Sequence, residues 1–243
     1  MTDWVHRYPP LIKGTLVKRY KRFFADIELE DGEIVTAHCP NTGPMTGIYI
    51  PGKPVYISPS NNPKRKLKYT WEIIEIDEPP TWVGVNTNLP NKAVRSLLEQ
   101  KLIPELADFS ELKSEVKYGQ ENSRVDFLMT HTDGTPIYIE VKNTTWTDGS
   151  LALFPDTVTT RGQKHIRELM SMLPEARVCM LYFVNRGDCD SFAPGDSTDP
   201  KYGQLLREAM AKGLEVYACS CDVSPEGVAY KGLLELKIPD LED

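Results

Sequence analysis

Arg124-Val125-Asp126-Phe127-Leu128-Met129-Thr130-His131-Thr132-Asp133-Gly134-Thr135-Pro136-Ile137-Tyr138-Ile139-Glu140-Val141-Lys142 reads as two strands and the turn between them. On either side of Thr132-Asp133-Gly134, apolar residues recur at every second position: Val125, Phe127 and Met129, then Ile137, Ile139 and Val141. That period makes two half-buried strands with a tight connection between them. A three-residue loop with Gly134 in the left-handed conformation is a favoured hairpin turn. The midpoint between Asp126 and Glu140 is Asp133, so this loop pairs Asp126 directly with Glu140. Glu140 and Lys142 share a face because strand side chains alternate. The odd loop therefore gathers two carboxylates and an ammonium, a set that can hold a divalent cation and orient a water. A two-residue Asp-Gly turn would slip the register by one and send Asp126 to the other face. The bland alternative is a surface hairpin with a Glu–Lys ion pair, which is common and worth little.

Glu-x-Lys occurs elsewhere, including at Glu111–Lys113, Glu115–Lys117 and Glu235–Lys237. The first two have no aspartate-bearing strand before them, and the third lies near the chain end with no helix after it. Pro155-Asp156 has no such strand after it, and Asp156 reads as a helix cap.

Outward from the hairpin, Lys92 to Leu106 reads as a helix with Val94, Leu97, Leu98, Leu102 and Leu106 on one stripe. Strands are expected at about 113–118, 124–130 and 136–142. Thr157 to Leu173 is a second helix, and His165 on its apolar stripe reads as a core histidine. Val178 to Val184 is a continuous apolar strand of the buried type. A polar loop from Gly187 to Pro200, a helix near 201–212 and a strand near 214–219 complete an α/β order. Cys219-Ser220-Cys221 and Cys39 lack partners at metal-ligand spacing.

The first 85 residues have a different grammar. Ala25, Ile27 and Leu29 alternate with Asp26, Glu28 and Glu30, and Leu67, Tyr69, Trp71 and Ile73 alternate with polar residues. Turn residues at Asp31-Gly32, Asn41 to Pro44 and Asn61 to Pro63 separate about five short strands. This suggests a small barrel, most simply of the OB kind, or a small sandwich. Two domains follow, residues 1–85 and 86–243, giving an α+β chain overall.

The formal charge of −7 argues against a nucleic-acid partner until it is divided. Residues 1–85 hold 11 Lys/Arg against 10 Asp/Glu, and residues 86–243 hold 17 against 25. Eight of those 11 cations lie in two clusters: Lys18, Arg19, Lys21 and Arg22 around Tyr20, and Lys64, Arg65, Lys66 and Lys68. Cations interleaved with aromatics suit a phosphate backbone whose bases stack on rings. The alternative is a strand edge blunted by lysines. Strict alternation puts the cations of 18–22 on both faces, so that strand is expected to be an edge, bulged or strongly curved. No apolar run reaches the roughly 18 residues needed to span a bilayer, and the start Met1-Thr2-Asp3-Trp4 shows no export signal. Five scattered cysteines do not form a disulfide framework. The expectation is a cytoplasmic protein that engages no membrane.

Several phrases resemble the sugar fermentation stimulation protein A family: Arg124 to Phe127, Tyr138 to Lys142, Phe154-Pro155-Asp156-Thr157-Val158-Thr159-Thr160-Arg161-Gly162-Gln163-Lys164-His165, Arg19 to Phe23, and His38-Cys39-Pro40-Asn41-Thr42-Gly43. They span nearly the whole chain in order. The resemblance implies an OB-like domain joined to a PD-(D/E)xK nuclease-like domain. It also implies DNA binding without strong sequence preference and a regulatory role in sugar (maltose) metabolism. In that nuclease superfamily the site residues carry over to Asp126, Glu140 and Lys142, with Val125 standing where proline gives the motif its name. Asp126, Glu140 and the Val141 carbonyl would then hold Mg²⁺ or Mn²⁺. Glu99 or Glu105 is a candidate further carboxylate, and Arg161 and Gln163 are candidate phosphate contacts.

Three readings remain open on sequence: a DNA binder of little sequence preference, a metal-dependent nuclease acting on DNA or RNA, and an interaction module without nucleic acid. The basic clusters weigh against the third.

Overall fold

The computed structural model describes residues 3–77, 80–119 and 123–238. The alternating patterns of the first half become strands. After β1 (Trp4–Arg7) come β2 (Ile12–Tyr20), β3 (Phe24–Leu29), β4 (Ile34–His38), β5 (Pro54–Pro59), β6 (Tyr69–Ile76) and β7 (Thr81–Gly84). Strands β2 to β7 form one sheet in the order β4-β3-β2-β5-β6-β7. Parallel pairing of Ala37 with Tyr69 and His38 with Thr70 joins β4 to β6 and closes the barrel. That circuit is the OB arrangement, and it resolves the choice between barrel and sandwich. Leu16, Ala25, Ile27, Val55, Ile57 and Trp71 fill the interior and are essentially inaccessible. Each large aliphatic side chain among them contributes about 1.5–3 kcal/mol on removal from water. Strand β2 is bulged between Leu16 and Lys18, as the placing of its cations requires, but it lies between β3 and β5 rather than at an edge.

The second half comprises α1 (Leu89–Glu99), β8 (Phe109–Tyr118), β9 (Ser123–His131), β10 (Pro136–Thr144), β11 (Trp146–Asp148), β12 (Leu151–Phe154), α2 (Thr160–Met170), β13 (Arg177–Val184), β14 (Ser191–Pro194), α3 (Pro200–Ala211), β15 (Glu215–Ser224), β16 (Gly227–Leu233) and β17 (Glu235–Leu236). Its main sheet runs β1-β16-β15-β13-β10-β9-β8. Antiparallel β8, β9 and β10 lead into parallel β13 and β15. Helix α1 covers one face through Ala93, Val94, Leu97 and Leu98. Helices α2 and α3 cover the other through Ile166, Leu169, Leu206 and Ala209. Strands β11, β12, β14 and β17 make a small separate sheet.

Four local expectations need correction. The N-terminal strand does not belong with the first 85 residues, because β1 pairs with β16 in the second sheet. The helix expected to reach Leu106 stops at Glu99, and Pro104, which lacks an N–H, starts a separate 3₁₀ turn that still buries Leu106. The cap of α2 is Thr159, not Asp156: the Thr159 hydroxyl accepts the Gly162 N–H at 3.0 Å. The loop from Gly187 to Pro200 contains β14, which pairs with β12.

The halves meet where Gly84 donates to the Asn185 carbonyl at 2.9 Å and Val83 bridges to Arg186. The buried Arg186 guanidinium is held by both Asp188 oxygens at 2.6 Å and by the Thr145 carbonyl at 3.0 Å.

Candidate functional site

The hairpin adopts the three-residue loop. His131 donates to the Thr135 carbonyl at 2.9 Å, and Gly134 takes φ +93°, a conformation with little steric cost for glycine alone. Pairing runs from Pro136–Thr130 to Ile139–Phe127, and the next step of that register sets Glu140 opposite Asp126. There the backbone ladder gives way, and the Val141 N–H donates to Asp126 Oδ2 at 2.7 Å. A strand residue's N–H and C=O point to the same side, so the Val141 carbonyl faces the Asp126 side as well. Asn91, in the first turn of α1, donates to Asp126 Oδ1 at 2.7 Å.

Asp126 and Glu140 line one cavity of about 370 Å³, together with Glu115, Arg124, Arg161 and His165. Glu140 is 3% exposed. Its Oε1 accepts Lys142 Nζ at 2.6 Å and is also in contact with His165 Nδ1. Arg161 Nε donates to His165 Nε2 at 3.4 Å, and Lys142 Nζ lies 3.3 Å from His165 Nδ1, so the imidazole sits between both cations and Glu140. Burial pushes the Glu140 pKa up, but the Lys142 charge and the His165 hydrogen bond outweigh it, and the carboxyl ends below its ordinary value. Asp126 goes the other way: burial first and the Glu140 charge second raise it above the usual range. Glu140 Oε2 is buried and has no hydrogen-bond partner among the described residues. A desolvated carboxylate oxygen left open beside a second carboxylate fits a hard divalent cation.

Not every candidate residue joins this centre. Glu99 sits eight residues beyond Asn91 on α1 and pairs with Arg95, about 12 Å farther along the helix at 1.5 Å per residue. Glu105 lies in the 3₁₀ turn, where its carbonyl takes a hydrogen bond from Arg177. Neither lines the cavity. Gln163 is buried, with its amide on both Asp199 oxygens at 2.9 and 3.0 Å; it braces the start of α3 rather than facing a phosphate. Arg161 does line the cavity. His165 is buried as expected, yet its partners are site residues, and Asn91 carried no signal because it lies 35 positions from Asp126. An i, i+4 spacing puts Arg161 and His165 on one helix face, a signal the sequence did offer.

On the barrel, the basic clusters form loops more than a strand. Lys21 and Arg22, both at positive φ, make the β2–β3 turn with exposed Phe23. Lys64, Arg65, Lys66 and Lys68 occupy the β5–β6 connection. His38 pairs on one side with Phe24, just after the first turn, and on the other with Thr70, just after the second connection, so the two loops leave the barrel close to one another. In OB barrels these two loops flank the oligonucleotide-binding face. Lys18 lies 3.5 Å from Asp26, and the Tyr20 ring stacks on Phe24. Arg19 is spent internally: its Nη2 donates to the carbonyls of Asn41 at 2.8 Å and Gly43 at 3.0 Å. Among the described residues no helix is long and apolar enough to cross a membrane.

Two family models match the chain. A family model described as the SfsA N-terminal OB domain matches residues 17–85, and one described as the sugar fermentation stimulation protein RE domain matches residues 88–227. A sugar fermentation stimulation protein homolog of Cyanothece sp. is 63% identical, with 97% of this chain and 99% of that protein covered. One from Nostoc sp. is 64% identical over 98% of this chain and 100% of its own length. The solved structure of Pyrococcus furiosus SfsA in complex with Ca²⁺ superposes with a TM-score of 0.87 at 28% identity, covering 97% of this chain and 99% of that one.

Proposed function

This chain belongs to the sugar fermentation stimulation protein family, and on that footing we propose that it binds DNA with little sequence preference and carries a divalent-metal site in its second domain. The observation that carries the binding reading is the approach of two basic loops, 21–23 and 60–68, on one end of an OB barrel, where His38 pairs with both Phe24 and Thr70. Phosphate attraction from Lys21, Arg22, Lys64, Arg65, Lys66 and Lys68 is sequence-independent and salt-sensitive. Nothing in either loop sets out donors in a pattern that would read a base edge. The sugar-fermentation name of the relatives supports a regulatory role exercised through this binding.

A second reading, phosphodiester hydrolysis, is favoured by the open Glu140 Oε2 next to Asp126 and Lys142. Asp126, Glu140 and the Val141 carbonyl would hold Mg²⁺ or Mn²⁺, and the Ca²⁺ complex of the Pyrococcus furiosus protein supports a divalent ion in this family. When bound, the ion would neutralise phosphate charge and make a coordinated water more acidic. Lys142 Nζ, already on Glu140, would orient that water or meet charge developing on the phosphate. Arg161 and Arg124 on the cavity wall would hold the phosphate itself.

The deciding experiment incubates purified protein with labelled single- and double-stranded DNA and RNA, with Mg²⁺ or Mn²⁺ and with chelator, beside Asp126→Ala and Lys142→Ala. Products that need the metal and vanish in both variants establish hydrolysis. Retention of DNA without products leaves the binding role alone, and absence of both refutes the proposal.

A further inference from the structure

The sequence offers Tyr20 as the ring among the cations of the β2–β3 turn, but folding engages it elsewhere. Its ring stacks on Phe24 with centroids 5.4 Å apart, its hydroxyl donates to Asp26 Oδ1 at 3.3 Å, and Lys18 Nζ stands 5.5 Å from its centroid. Phe23, at the end of the same turn, is in the opposite situation. It is 49% exposed, more than any other aromatic ring among the described residues. Among those residues it packs on no other ring.

The backbone holds this ring out. Lys21 and Arg22 take φ +49° and +64°, a left-handed conformation in which glycine or asparagine is the ordinary occupant of a turn. Two long cations kept there against that preference point to a use for what the turn displays. The turn is also braced. Arg19 Nε donates to the Arg22 carbonyl at 3.3 Å, and the Cys39 N–H donates to the Phe23 carbonyl at 2.8 Å. A ring carried on a fixed backbone loses little freedom when it makes a contact. Its surroundings are cationic. Lys21, Arg22, Lys64, Lys66 and Lys68 are exposed, and among the described residues none of them forms an ion pair. Because His38 pairs with Phe24 on one side and Thr70 on the other, two strand spacings of about 4.8 Å separate the ends of the two loops. A short stretch of nucleic-acid strand can touch both.

We infer that Phe23 is the ring on which one unpaired base stacks when the barrel loops hold a nucleic-acid strand. This role rests on the DNA-binding reading above and deepens it. The lysines and arginines of the two loops take the phosphates of flanking nucleotides, and Phe23 takes the face of a base between them. Every base has a π-face, so the contact adds affinity without choosing a sequence. In a closed duplex those faces are covered by the neighbouring pairs. The substrate class follows: a single strand, or a duplex with an unpaired segment.

The test measures binding of three fluorescein-labelled probes in chelator: an oligothymidylate, an abasic strand of the same length, and a relaxed closed circular duplex. Phe23→Ala should bind the oligothymidylate about tenfold more weakly than wild type, the scale of one base stacked on a ring. On the abasic strand and the circle the two proteins should bind alike. Their slopes of log K against log[salt] should agree, because no charge has been removed. Phe23→Trp should restore the lost affinity, whereas Phe23→Leu, apolar but without a π-face, should not. Tm should be the same in all four proteins, since the side chain is exposed. Equal binding of the oligothymidylate by wild type and Phe23→Ala overturns the stacking role, and so does a loss of the same size on the abasic strand. In both cases strong binding by wild type leaves the DNA-binding reading standing. No binding of any probe by wild type ends both.

Discussion

Val141 donates its backbone N–H to the Asp126 carboxylate at 2.7 Å, at the point where the pairing of β9 with β10 stops. The bond turns a strand ending into a candidate site. It holds one acid against the strand that carries the other, and it leaves the Val141 carbonyl on the same side.

Loading of the centre is checked by thermal unfolding with Mn²⁺ or Ca²⁺. A ligand that binds only the folded state at 100 times its Kd stabilises by about 2.7 kcal/mol. Wild type should show a metal-dependent rise in Tm, and Asp126→Asn should show none. Without metal, Asp126→Asn should unfold at or above the wild-type temperature, because Asp126 is held next to Glu140 in a buried setting that disfavours its charge. Equal metal shifts in both proteins would remove Asp126 from the ligand set.

The hairpin loop decides the register. Gly134→Ala meets no neighbouring atom but must adopt φ +93°, so it should cost about 1 kcal/mol and leave the metal response intact. Deleting Thr132 leaves a two-residue turn and slips the pairing by one. The metal-dependent Tm rise should disappear in that variant. Its persistence would show that the geometry of the site does not depend on the loop.

Two roles separate among the basic residues of the barrel. Arg22→Ala with Lys66→Ala should weaken DNA binding and reduce the slope of log K against log[salt] by about one unit per contact, with Tm unchanged. Arg19→Ala removes two hydrogen bonds to the Asn41–Gly43 loop and should lower stability by about 1–3 kcal/mol instead. A salt slope unaltered by the Arg22 and Lys66 changes would take the loops out of the interface.

Asp188 carries the pH prediction. Burial pushes its carboxyl up, but the hydrogen bonds and charge of Arg186 outweigh this and hold it below its ordinary 3.8. A depressed folded-state pKa means that the stabilisation is complete above the unfolded value and fades as pH falls through the folded one. Asp188→Asn leaves a buried guanidinium poorly paired and should cost about 3 kcal/mol at pH 7. The gap between wild type and variant, followed by urea unfolding, should narrow steadily below about pH 4. A gap that stays constant into acid would mean that the pair contributes nothing through its charges.

Near neighbours in the chain settle the local parts of this protein. Period-two alternation specified the strands of the barrel and of the hairpin, because each side chain's face follows from its parity. The Thr132-Asp133-Gly134 loop specified a register, because turn length and a glycine at positive φ leave few ways to pair the flanking strands. The helices were legible as stripes, although their ends were not: Pro104 starts a separate turn, and the Thr159 hydroxyl, not Asp156, takes the Gly162 N–H at the start of α2. Tertiary structure alone decided what lies far apart in the chain. Residues 4–7 join the second sheet because β16, more than 200 positions later, offers them an edge. Asn91 reaches Asp126, and His165 reaches Glu140, only after α1 and α2 pack on opposite faces of one sheet. Arg19 looked like a free cation until folding brought the Asn41 and Gly43 carbonyls under it. Local preference acts through a handful of dihedral angles, whereas these partners are chosen by chain closure and burial, which no short window of residues encodes.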